Sequence, residues 1–80
     1  MAAITYTFQM NTQSNRWFWF SENPEDGVGP EAGLPSLAEA LVDFFEAEGA
    51  EYDPEDENQW PSGYGDLTEV EDFKYQVVKN

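Results

Sequence analysis

Three carboxylates, Glu39, Asp43 and Glu46, recur at spacings of four and three residues. On a helix such spacings form a row with neighbouring Cβ atoms about 5–6 Å apart, close to the repeat of phosphates along a nucleic-acid strand. A second group comes next in Glu51, Asp53, Glu55, Asp56 and Glu57, with Tyr52 inside it and Trp60 and Tyr64 just after it. Carboxylates so gathered can hold a cation, share a proton in acid–base catalysis, or present a fixed anionic field. A calcium loop starting at Asp53 would have Glu55 and Glu57 at its third and fifth positions. It then fails, because Asn58 stands where the sharp turn needs glycine and Tyr64 where the bidentate carboxylate belongs. Glycoside hydrolysis uses paired acids, but it also needs a substrate cleft that so short a chain can hardly wall. The anionic field is the reading left.

The residue types missing from the chain narrow the chemistry further. Eighty residues carry 17 acids, 3 bases, no histidine and no cysteine, for a formal charge of −14. Without cysteine there is no disulfide framework, thiol nucleophile or thiolate zinc site. Without histidine the commonest general base and metal ligand is gone. No glycine loop cradles a phosphate and no serine has a base. The sequence therefore predicts a binding protein rather than an enzyme, with no cofactor and no metal.

The charge is also segregated. All 17 acids fall between Glu22 and Asp72, and no Lys or Arg occurs from Trp17 to Phe73; Arg16, Lys74 and Lys79 lie near the ends. Such a balance rules out attraction to nucleic-acid phosphates and points to a basic protein partner. Like charges along the helix stripe destabilise it by a few tenths of a kcal/mol per pair. Asp43, Glu46 and Glu48 also crowd the helix end where the macrodipole disfavours anions. Local rules broken without visible compensation often mark function. A solvated helix face is the plainer alternative.

The elements that must position these residues are legible. Three Trp, four Tyr and six Phe argue against disorder. The length allows one small domain, residues 1–80. Ala3 to Met10 alternates with period two, Arg16 to Phe20 repeats the pattern, and the polar residues 11–15 join them as a hairpin. The second strand has aromatic rings on both faces: Trp17 and Trp19 on one, Phe18 and Phe20 on the other. One pair can enter the core, and the other needs a cover from a loop or a partner. Ser36 and Glu39 match a capping box, Leu37 to Glu48 forms a helix, and Gly49 stands at its left-handed end. Leu37, Leu41, Phe44 and Phe45 share its apolar face. Leu67 to Lys79 reads as one closing strand, with Phe73, Tyr75 and Val77 alternating. The expected fold is α+β: a small antiparallel sheet of about three strands in ββαβ order, with one amphipathic helix on one face. The two connections, 21–35 and 50–65, are long, and loops of that length tend to be functional or mobile.

A short acidic α/β chain with anions on one helix face and in the adjoining loops resembles the DNA-mimic inhibitors of phages and other mobile elements, anti-CRISPR proteins above all. The resemblance rests on size, charge and the placement of Glu39, Asp43, Glu46 and Glu51 to Glu57. It implies a protein that blocks the nucleic-acid-binding channel of a Cas surveillance or effector complex. Its aromatic anchors would be Tyr52, Trp60 and Tyr64, and it would work in the cytoplasm of a bacterial host. The segment Met1 to Met10 lacks the basic start and apolar core of a signal peptide, in keeping with that compartment. Two rivals stay open. An immunity protein or antitoxin that blocks a basic nuclease would use the same surface. An acidic halophile domain would carry its charge for solubility, and would unfold at low salt.

Overall fold

The computed structural model describes residues 3–22, 27–55 and 60–79. It is an α+β fold with strands β1 (Ile4–Asn11), β2 (Arg16–Ser21), β3 (Thr68–Glu71) and β4 (Lys74–Lys79) and one helix, α1 (Leu37–Glu48). The strands form one antiparallel sheet in the order β2-β1-β4-β3. β1 therefore lies inside the sheet, with Phe8 opposite Trp19 on one side and opposite Tyr75 on the other.

The sheet has four strands rather than three. The segment expected as one strand from Leu67 to Lys79 folds back at Asp72 and Phe73, and Glu71 pairs with Lys74. The alternation that unites Phe73, Tyr75 and Val77 thus crosses a turn. That turn contains no glycine, asparagine or proline to announce it in sequence.

Alternation decides the two sheet faces. Tyr6, Phe8, Trp19 and Val77 point to the helix side and are buried there with Ala40, Leu41, Phe44 and Phe45. Phe44 is fully enclosed, its ring 4.5 Å from Tyr6, 5.3 Å from Phe8 and 5.2 Å from Trp19 by centroid. The Phe8 and Trp19 pairs meet edge to face, an arrangement favoured by the ring quadrupole. The helix ends are set locally. The Ser36 side chain accepts from the Glu39 backbone N–H, and Gly49 takes the left-handed conformation (φ 75°), its N–H reaching the Glu46 carbonyl.

The outer edge of β2 is covered by the segment 27–34. Trp17 and Leu34 exchange backbone hydrogen bonds, and Val28 bridges to Phe20. The approach is close: a Cβ on Gly33 would lie 2.8 Å from the Phe18 ring. Covering an edge in this way blunts strand-to-strand association. Among the described residues no helix lies over the far face of the sheet, and Phe20, Val70 and Val78 remain exposed there.

Candidate functional site

The C-terminal half of α1 and the segment after it enclose a cleft of about 280 Å³. Val42, Phe45, Ala50 and Tyr52 line its apolar part, while Glu46, Glu51 and Asp53 stand around it. Phe44 and Phe45, neighbours on the helix, share Tyr64 but otherwise pack differently. Phe44 packs on the sheet. Phe45 instead gathers the rings of Tyr52 (4.9 Å), Trp60 (5.2 Å) and Tyr64 (5.1 Å). The rings of Tyr52, Trp60 and Tyr64 thus pack against the helix end, while Asp53 and Glu55 are exposed.

Of the stripe read from sequence, Glu39 and Glu46 are exposed. Asp43 is not a free member of the row. It is half-buried, and its Oδ2 accepts a hydrogen bond from the Trp19 indole N–H at 2.8 Å. This bond satisfies a donor that burial of Trp19 would otherwise strand. Glu51, Asp53 and Glu55 are exposed, and the Glu55 N–H is held by Asp53 Oδ1 at 2.9 Å. Asp56 and Glu57 lie outside the described residues. Tyr52, Trp60 and Tyr64 are half-buried rather than projecting. The Trp60 indole N–H donates to the Gly65 carbonyl at 2.9 Å, and the Tyr64 hydroxyl donates to Glu48 Oε1 at 3.3 Å. Burial first, then the Asp53 charge, pushes the Tyr52 hydroxyl above its ordinary range.

Glu48 has a role that sequence spacing did not reveal. Its Oε1 receives the Tyr6 hydroxyl at 3.1 Å, the Tyr64 hydroxyl, and Lys79 Nζ at 2.9 Å. The carboxylate is largely enclosed, its side chain 14% exposed. An anion at the last turn of a helix opposes the macrodipole, and here a cation from β4 and two hydroxyls compensate it. One clue was available: Lys79 is among only three bases in the chain. Burial and the Glu48 charge raise the Tyr64 hydroxyl, while Lys79 pulls it the other way.

The helix side therefore divides its carboxylates into two sets. Asp43 and Glu48 are built into the fold. Glu39, Glu46, Glu51, Asp53 and Glu55 remain on the surface, with Glu46, Glu51 and Asp53 around the apolar cleft. Among the described residues no group of three or more His, Cys, Asp or Glu stands close enough to hold a metal ion, and no helix is long and apolar enough to cross a membrane. No family model, curated protein or solved structure matches the chain.

Proposed function

We propose that this protein is an inhibitor of the anti-CRISPR type, whose anionic helix side occupies the nucleic-acid-binding site of a basic Cas protein or complex. One observation carries the reading: Glu39, Glu46, Glu51, Asp53 and Glu55 stand exposed along α1 and the segment after it, and none of the nearby residues 37–55 is a base. Lys and Arg groups arranged to neutralise phosphates meet a similar field in such an array. Complementary fields speed encounter, and their effect falls as salt screens them. The apolar cleft supplies what charge alone lacks, a place where a partner's side chain is desolvated.

The test is capture from a CRISPR-bearing bacterial lysate with tagged protein, compared with the variant Glu39→Gln, Glu46→Gln, Glu51→Gln, Asp53→Asn. Asp43 stays untouched because Trp19 depends on it. The expected result is a Cas protein that binds the parent chain at moderate salt, elutes as salt rises, and is lost with the folded variant. Equal capture by the variant overturns the anionic mechanism. Capture of a nuclease toxin in place of a Cas protein transfers the same surface to an immunity protein.

A further inference from the structure

The cleft at the end of α1 carries charge that its own chain leaves uncompensated. All three basic side chains of the protein are committed elsewhere. The Arg16 guanidinium donates to the Ala32 and Gly33 carbonyls, Lys74 pairs with Glu71, and Lys79 pairs with Glu48. The carboxylates divide in the same way. Asp43 and Glu48 accept hydrogen bonds from within the fold. Among the described residues, the side chains of Glu46 and Glu51 accept no hydrogen bond and pair with no cation. Asp53 gives only Oδ1, to the Glu55 N–H. These three acids border one cleft, Glu46 from the helix and Glu51 and Asp53 from the segment after it.

The rest of the lining selects among cations. It is apolar, with Val42 and Ala50 beside the rings of Phe45 and Tyr52. A metal ion finds no group of three ligands among the described residues. A lysine ammonium is a compact, strongly hydrated charge, and it would have to shed water against this lining. A guanidinium is more weakly hydrated, stacks on aromatic faces, and holds five N–H donors in one plane. It can lie on Tyr52 while its edge donates to carboxylates, and its methylene stem can cover Val42 and Ala50. Burial raises the Tyr52 hydroxyl and the Asp53 charge adds to it, so ring and carboxylate share one site. At about 280 Å³ the cleft falls at the small end of ligand sites, with room for one long side chain.

We infer that this cleft seats one arginine side chain of a protein partner, stacked on Tyr52 and paired with Glu46, Glu51 and Asp53. The inference rests on the inhibitor reading for the basic character of the partner, and adds a single anchoring residue to it. Glu39 and Glu55 do not line the cleft. Their charge acts on the partner's approach rather than on its grip.

The probe is N-acetyl-arginine methylamide, titrated into the full chain at about 0.15 M salt and followed by NMR, with the corresponding lysine derivative as control. Shifts are expected at the Val42 and Ala50 methyls and the Tyr52 ring, saturating at about millimolar concentration as suits one side chain. The lysine derivative should bind about fivefold more weakly. Ala50→Leu fills the cleft, leaves every carboxylate in place, and should weaken arginine binding about tenfold. Glu51→Gln is an exposed change that tests the seat even if Ala50→Leu fails to fold, and should weaken binding about threefold. Equal binding of the two derivatives, shifts spread evenly from Glu39 to Glu55, or undiminished binding by either folded variant overturns the seat. A parent chain that captures a Cas protein yet binds no arginine here loses the seat and keeps the inhibitor reading. One that binds arginine here and captures no Cas protein loses that reading and keeps the seat.

Discussion

α1 carries Glu39, Asp43, Glu46 and Glu48 and no base, whereas β1, β2 and β4 carry no acid at all. Both regions belong to one small molecule of charge −14, so the difference is a matter of placement. Charge repels charge and lowers the stability of a compact state. Keeping acids out of three strands lets the sheet close without that cost. The helix, whose outer face meets water, takes the charge instead. The helix side buries Phe44 and exposes Glu39, Glu46, Glu51, Asp53 and Glu55 along α1 and the segment after it. The far sheet face is weakly charged and weakly covered. The core packing and the exposed carboxylates of α1 thus share one side of the sheet.

The largest expected effect tests the packing half of this contrast. Phe44→Ala removes a fully buried ring and should cost about 3–5 kcal/mol. Domains of this kind have about 5–15 kcal/mol in all, so the variant should be close to unfolding by thermal denaturation. Val78→Thr on the far face, where Val78 is exposed, should cost less than about 1 kcal/mol. Comparable losses would mean that the far face is covered in solution.

A smaller effect separates the built-in carboxylates from the free ones. Glu48→Ala leaves Tyr6, Tyr64 and Lys79 without their shared acceptor and should cost about 1–3 kcal/mol in urea unfolding. Glu46→Ala, two residues earlier and exposed, should stay within about 0.5 kcal/mol. If both were neutral, the Glu48 cluster would be a surface pair of little worth.

The smallest expected effect is at alkaline pH. Tyr52 and Tyr64 both hold their protons more tightly in the fold than in the unfolded chain. Their contribution to stability is fully present below the ordinary tyrosine value of about 10 and is lost as pH rises through the raised folded value. Phenolate absorbance should therefore show a late step, and thermal stability should decline only beyond the ordinary range. Phenolate formation at the ordinary pH would place both hydroxyls in water.

How much of this was legible depends on how local each cause is. Ser36, Gly49 and the spacing of Leu37, Leu41, Phe44 and Phe45 act within a few residues, and the helix lies where they place it. The first hairpin is readable for the same reason. The turn at Asp72 and Phe73 was not, because its left-handed residue is one that sequence rules do not associate with turns. The partners of Asp43 and Glu48 were hidden by distance. Trp19 is 24 residues from Asp43, and Tyr6 is 42 from Glu48. Spacing placed Asp43 in the stripe, and only the fold shows that its carboxylate is committed inward. Likewise the rings of Tyr52, Trp60 and Tyr64 could be seen to accompany the acids, but not to converge on Phe45.

The position of β1 between β2 and β4 bears on how the protein is made. A ribosome releases β1 and β2 early, yet the strand that completes β1's second edge arrives only with residues 74–79. At about 5–20 residues per second, the emerging hairpin waits for seconds with an open edge and with Trp17, Phe18, Trp19 and Phe20 uncovered. An isolated hairpin is marginal in water, and an unpaired apolar edge is a template for pairing with other chains. Behind the hairpin, the acid-rich stretch from Glu22 to Asp72 leaves the tunnel. Nascent chains would then repel one another throughout the interval when their aromatic strands are bare.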